Sequence, residues 1–181
     1  MALQSIINKN MAFGVPGTHG NGQPYFADSY IAGAVVTMGK VAALDTNGNV
    51  IECTGSNPLG LIVNPNEHVR MVLPTDEGSL QVAAGSSVAV AKGGSWYIDL
   101  PGDAYTVSGA ISGSATVTQN VKKGAKVYVK ASDGSLTFTA ASNTEFGEIV
   151  EFAAIAPTVK KGSSNWEVDT PAKGTCIIRI K

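Results

Sequence analysis

Residues 39–63 read GKVAALDTNGNVIECTGSNPLGLIV. Short runs of Val, Ala, Ile and Leu alternate there with turn-forming residues, a pattern typical of β-strands. The dipeptide Asn47-Gly48 is a strong hairpin signal because both residue types readily adopt positive φ. The stretch therefore predicts a strand, a tight turn, a second strand, a loop, and a third strand at Gly-Leu-Ile-Val.

The same pattern returns in residues 124–150, which read GAKVYVKASDGSLTFTAASNTEFGEIV. The hairpin dipeptide Asn47-Gly48 aligns with Asp133-Gly134, and Gly60 aligns with Gly147. Both stretches end in a similar run, Gly-Leu-Ile-Val in one and Gly-Glu-Ile-Val in the other. Self-similarity of this kind indicates a repeated supersecondary unit.

Short apolar runs separated by turns continue from residue 34 to the end of the chain. In Lys126–Ala131, for example, two valines alternate with polar residues, as in a half-buried strand. No segment in this range keeps a helical period over three turns. We therefore predict an all-β domain over residues 34–181, built from repeated hairpins as small β-barrel or β-sandwich lobes. Two such lobes are compatible with the two copies of the repeat. Residues 79–120 match the repeat less clearly.

Residues 1–33 differ from the rest and predict an extended N-terminal arm. Residues 13–26 read FGVPGTHGNGQPYF. A phosphate-binding glycine loop needs a strand before it and a helix after it, and neither is predicted here. The prolines favour a stiff extended path, and the aromatic Tyr25, Phe26 and Tyr30 favour contact with another protein over exposure to water. A disordered leader is the alternative.

Composition argues against several classes of function. The net charge of −1 leaves no basic excess for binding phosphates, so nucleic-acid binding is not expected. No apolar run reaches the roughly 18 residues of a membrane span, and residues 1–10 lack the pattern of a signal peptide, so we expect a cytoplasmic product. Charged residues make up only 15% of the chain, below the roughly 25% typical of soluble domains, which suggests that much of the surface faces other protein.

Candidate catalytic and metal-binding residues are few. His19 and His68 are the two histidines, and no motif places a nucleophile and an acid with either of them. Cys53 and Cys176 lie in apolar runs, which predicts buried, reduced thiols. His, Cys and acidic residues do not cluster at the spacing of metal ligands. The sequence thus predicts no enzyme, no cofactor and no metal site.

Several short motifs carry a family resemblance. They are Phe-Gly-Val-Pro-Gly at 13–17, Ser-Tyr-Ile-Ala at 29–32, Pro-Leu-Gly at 58–60, Gly-Glu-Ile-Val at 147–150, and the closing Ile-Ile-Arg-Ile at 177–180. Together they resemble the structural cement, or capsid decoration, proteins of tailed bacteriophages, over most of the chain. The resemblance implies a non-enzymatic virion protein, made in the host cytoplasm, that sits on the capsid exterior as a homotrimer. It also implies binding to the major capsid protein and stabilisation of contacts between its subunits.

Under this interpretation the arm contacts the capsid, through Phe13, Val15, Pro16, Tyr25, Phe26 and Tyr30. The alternative is a carbohydrate-binding or adhesive β module, such as a head fibre. In that case Trp96, Tyr97, Tyr105 and Trp166 would stack on sugar rings instead of filling a core or a subunit interface. Residues 136–142 and 175–181 carry few charges, and they are candidates for interior strands or for pairing with a partner's sheet.

Overall fold

The computed structural model describes residues 16–20, 25–55, 57–63 and 81–181; Phe13, Val15 and His68 lie outside these ranges. Within the described ranges there are fifteen strands and no helix, which confirms the predicted all-β class. The strands are β1 (Phe26–Ile31), β2 (Val36–Thr37), β3 (Val41–Leu44), β4 (Val50–Glu52), β5 (Gly60–Val63), β6 (Gln81–Val82), β7 (Ser87–Asp99), β8 (Tyr105–Ser108), β9 (Thr116–Gln119), β10 (Lys126–Val129), β11 (Leu136–Thr137), β12 (Thr144–Ile155), β13 (Thr158–Lys161), β14 (Trp166–Thr170) and β15 (Lys173–Ile180).

One large sheet organises the molecule. Its strand order is β11-β10-β12-β15-β7-β5-β3-β4, and β1 also pairs with β7. The pairings between neighbours are antiparallel, and the sheet curls into half a barrel. The side chains it encloses form a large apolar core that includes Trp96, Ile98, Val127, Ile149 and Ile178.

The two sequence repeats occupy the two ends of this sheet. β3, β4 and β5 form one end, and β10, β11 and β12 form the other. In each repeat the third strand pairs with the first and with a long inner strand, which is β7 for β5 and β15 for β12. The two inner strands pair with each other. Both dipeptides lie in turns, and each glycine has a positive φ, 81° at Gly48 and 70° at Gly134, while Asn47 and Asp133 do not.

A second, smaller core explains why all four residues of β5 are buried. β1, β7, β5, β3 and β4 are successive neighbours, and a bridge between Ala32 and Val50 joins the end of β1 back to β4. These five strands close around a set of small apolar side chains: Ala32, Val36, Ala42, Val50, Ile62, Val88 and Val90. Because side chains alternate across a strand, Ile62 faces this small core while Leu61 and Val63 face the large one.

Part of the predicted arm is built into this framework. β1 pairs with β7, from Phe26 opposite Gly93 to Ile31 opposite Ser87. Further upstream, the Gly17 N–H donates to the Tyr97 carbonyl oxygen, and the Tyr97 N–H donates to the Thr18 carbonyl oxygen. Residues 17–20 and 26–31 therefore run antiparallel to β7, so these parts of the predicted arm are paired with the β domain.

Two hairpins form a separate lobe at one end of the long strands. The β8–β9 hairpin follows β7, and the β13–β14 hairpin follows β12. The hairpins dock through a bridge between Ala110 and Asn165. Trp166 adds two hydrogen bonds, since its backbone N–H donates to the Gly109 oxygen and its indole Nε1 donates to the Gly113 oxygen at 3.0 Å. We call these four strands the hairpin lobe.

Candidate interaction surface

The predicted contact residues take up different positions in the fold. Phe13 and Val15 lie outside the described residues. Pro16 is half-buried and packs against Gly39. Phe26 is the most open of the predicted residues that the structure describes, with 76% of its surface exposed.

Tyr30 has a structural role on β1. Its ring packs against the small core, and the Lys92 Nζ lies 5.5 Å from the ring centre. The same lysine forms an ion pair with Asp28. A hydrogen bond from Lys92 to Asp28 is the main reason that the pKa of Lys92 rises to about 12. Tyr30 and its neighbours thus fasten β1 to β7.

Tyr25 belongs to an aromatic cluster that fastens the N-terminal segment to the sheet. The ring centroids of His19, Tyr25 and Trp96 lie 4.9 to 5.2 Å apart, in tilted and edge-on arrangements that favour aromatic attraction. Trp96 is wholly buried, and its Nε1 donates to the Gly93 carbonyl oxygen at 2.9 Å. This cluster holds the segment in place, while Tyr25 keeps 41% of its surface exposed.

Other exposed apolar side chains lie on and near β1, and sequence reasoning missed them. Ile31, Val35 and Leu44 are 51%, 56% and 46% exposed. The backbone brings Ile31 near Leu44, because Ala32 forms a bridge with Val50 and Leu44 pairs with the same residue. Ile31 and Val35 each adjoin a buried residue in the sequence, Ala32 and Val36, so the pairing of distant strands decides which of these side chains face water.

The aromatic residues considered for sugar stacking are largely used within the fold. Trp96 is wholly buried, and Tyr105 packs against the large core. Trp166 is half-buried between the two hairpins, and the Lys161 Nζ lies 5.7 Å from the centre of its ring. Trp96, Tyr105 and Trp166 therefore do not form an open platform for a sugar. Tyr97 is half-buried and lines a cavity of about 150 Å³.

The ends of the curled sheet approach each other at a polar cavity. Gly134 of the second repeat lies directly against the carbonyl group of Cys53, just after β4 of the first repeat. The adjoining cavity has a volume of about 260 Å³, and charged residues Lys40, Glu52, Asp99 and Asp133 are among its lining. No group of three or more His, Cys, Asp or Glu residues suited to a metal ion occurs in the described ranges.

The cysteines are free and buried, as predicted. Burial, with a smaller contribution from Asp99, raises the pKa of Cys176 to about 12, so this thiol is neutral at ordinary pH. Nucleophilic chemistry requires the thiolate. Cys176 is therefore a core residue.

In each of the two equivalent hairpin turns, an aspartate side chain accepts hydrogen bonds from nearby residues of the turn. Asp45 accepts hydrogen bonds from the backbone N–H groups of Asn47 and Asn49, both at 2.8 Å. Asp133 accepts from the hydroxyl and the N–H group of Ser135. The bond from Asn49 is the main cause that lowers the pKa of Asp45, and the hydroxyl of Ser135 is the main cause for Asp133. These two acids stabilise turns.

The described part of the chain is thus an all-β scaffold with exposed apolar side chains. No helix within the described ranges is long and apolar enough to cross a membrane. A search of curated proteins and a search of solved structures returned no match.

A family model does match the chain, over residues 3–181. Its description is "Structural cement protein (E217 gp24/Pam3 gp6)", and it covers phage cement proteins. The chain belongs to this family, which agrees with the resemblance seen in the short motifs. It is therefore a structural protein of the phage particle that associates with capsid proteins, and its family is one of structural phage proteins not known as enzymes.

Proposed function

We propose that this protein binds the outer surface of the phage capsid and stabilises contacts between neighbouring major capsid subunits, acting as a homotrimer. The family match over residues 3–181 is the observation that carries the proposal. The low charge content supports a surface that meets other protein. A cement that touches several subunits at once gains affinity through multivalency, so each contact can be modest.

The proposed capsid contact consists of the segment upstream of Pro16, with Phe13 and Val15, and the exposed ring of Phe26. Burial of a large apolar side chain against a partner contributes roughly 1.5–3 kcal/mol. The hydrogen bond from the Gly17 N–H to the Tyr97 carbonyl oxygen holds the residues that follow this segment against β7. Pro16, Tyr25 and Tyr30 would act indirectly, by positioning the segment and β1.

Removal of residues 2–15 tests this contact. The truncated chain keeps the aromatic cluster and β1, so its unfolding temperature should match that of the full chain. Its co-sedimentation with expanded capsids of the parent phage that lack the protein should be lost. A truncated chain that sediments with these capsids as well as the full chain does would disprove the role of the segment.

A longer truncation provides the matched comparison. Removal of residues 2–20 also deletes Gly17 and His19, and with them the hydrogen bonds to Tyr97 and the ring contact to Trp96. This variant should unfold at a lower temperature. Comparison of the two truncations separates loss of binding from loss of folding, because only the shorter one keeps the contacts of residues 17–20 with β7.

Light scattering of the purified chain tests the homotrimer. A monomeric mass would refute that part of the proposal and leave capsid binding open to the sedimentation assay. A carbohydrate-binding role draws no support from Trp96, Tyr105 and Trp166, since these three residues are used in packing.

A further inference from the structure

β9 is the outer strand of the hairpin lobe. Within the described residues it pairs only with β8, from Thr116 opposite Ser108 to Gln119 opposite Tyr105. β8 in turn lies beside β14. All four residues of β9 are exposed. One side of β9 therefore presents backbone N–H and C=O groups that have no strand partner.

Natural proteins usually protect an open strand edge with charge, with short length or with a covering segment. The other outer strands here follow that rule. β1 carries the Asp28–Lys92 ion pair, Ala32 covers β4, and β11 has only two residues. β13, at the opposite side of the hairpin lobe, carries Lys160 and Lys161. β9 is the exception, because residues 104–121 contain no charged side chain.

The open edge is held in a defined conformation. Trp166 docks the neighbouring hairpin onto Gly109 and Gly113. At the base of the β8–β9 hairpin, the Asn120 side chain donates to the Asp103 carbonyl oxygen at 2.7 Å. A strand that is already ordered loses little conformational entropy when a partner pairs with it.

We infer that the open edge of β9 pairs with an extended, uncharged segment of the capsid protein, which adds a strand to the hairpin lobe. This inference rests on the proposed function. An uncharged partner fits because β9 offers no counter-ion, and an unpaired charge buried beside it would be costly. The methyl groups of Val117, which is 40% exposed, add a small apolar contact.

The size of the contact argues for the capsid protein over a second copy of this chain. A pair of four-residue strands buries far less than the roughly 1,200 Å² of a stable specific interface. Such a contact cannot hold two free molecules together. Within the proposed homotrimer, β9 cannot pair with β9 of another copy, because that pairing is two-fold and the trimer is three-fold. A chain already bound to the capsid elsewhere gains from it, because the effective concentration of the partner strand is high.

A charge placed on the edge tests the inference. Thr118→Lys introduces on β9 the protection that β13 already has, and it should weaken binding to expanded, protein-free capsids of the parent phage by about tenfold or more, as expected for the loss of a few hydrogen bonds. Thr170→Lys is the matched control, because Thr170 is an exposed residue of β14 in the same lobe. It should bind as the wild type does. Both variants should unfold at the wild-type temperature.

Hydrogen exchange on the wild-type chain gives a second readout that needs no variant. Amides of residues 116–119 should exchange more slowly on the capsid than in free protein, while those of residues 158–161 should not change. Capsid binding by Thr118→Lys at wild-type strength, or unchanged exchange in β9, would overturn the inference and leave the proposed function intact. Protection of β9 that appears without capsids, as protein concentration rises, would assign the edge to a second copy and also overturn it. Failure of the wild type to bind capsids would instead refute the proposed function.

Discussion

Gly60 and Gly147 are equivalent residues of the two repeats, and alanine at either position should destabilise the fold. An added Cβ at Gly147 would overlap the Arg179 carbonyl oxygen and lie 3.0 Å from Ile178 Cγ1. At Gly60 it would overlap the Ala91 carbonyl oxygen. Neither glycine has a positive φ, so the effect would be steric. Both obstacles are backbone atoms of the inner strands, which cannot rotate away as a side chain could.

The expected magnitude follows from this geometry. Overpacking of a well-packed site costs about 1–3 kcal/mol. The upper end applies here because Ile178 is wholly buried and the paired strands must separate to admit the methyl group. A loss of about 3 kcal/mol lowers the unfolding temperature of a chain of this size by roughly 6–12 °C. Gly102→Ala is the control, because a Cβ there meets no atom within 4 Å, and it should shift the temperature by less than about 2 °C.

Thermal unfolding followed by far-ultraviolet circular dichroism measures all three variants under one condition. The unfolding temperatures of Gly60→Ala and Gly147→Ala should both be lowered by a similar amount and lie well below that of Gly102→Ala. Unfolding temperatures of both variants within about 2 °C of the wild type would refute the close approach of the strands. A large fall in one variant alone would refute the structural equivalence of the repeats.

Two further predictions concern ionisable groups. Hydrogen bonds from Lys181 and then Lys126 hold the pKa of Glu145 below its ordinary 4.5, so its contribution to stability is present above about pH 4.5 and is lost as the pH falls through the folded-state pKa. The difference in unfolding temperature between wild type and Glu145→Gln at pH 7 should therefore shrink by pH 3, and a constant difference would contradict the ion pairs. Burial raises the pKa of Cys176 to about 12. In a Cys53→Ser background, a thiol reagent at pH 8 should label this residue only after unfolding in urea, and rapid labelling of the native chain would contradict its burial.

The repeat strands could be predicted because their signals are local. The alternation in Lys126–Ala131 corresponds to β10, and the dipeptides Asn47-Gly48 and Asp133-Gly134 form turns as expected. The packing of the hairpin lobe could not be predicted in this way, because it depends on hydrogen bonds from Trp166 to Gly109 and Gly113, which are distant in sequence. No local pattern reveals that β9 would be left with an open side.

For the candidate contact residues too, local sequence predicted a common role, and contacts with distant strands decided the position of each side chain. Tyr25 and Phe26 are adjacent aromatic residues with the same predicted role, yet Tyr25 packs against Trp96 while Phe26 is mostly exposed. Strand geometry turns neighbouring side chains to opposite faces. Which face is covered depends on β7, and β7 lies some distance along the chain.

By itself the sequence determined the all-β class, the positions of the main hairpins, the repeat and the family resemblance. These features follow from residue alternation, turn dipeptides and short motifs, which act over a few residues. Only the tertiary structure decided that the end of β1 is joined to β4 through Ala32 and Val50, that residues 17–20 lie along β7, and that β9 keeps an open edge. These outcomes depend on hydrogen bonds between residues far apart in sequence, and the pairing of distant strands determines which surfaces stay in contact with water.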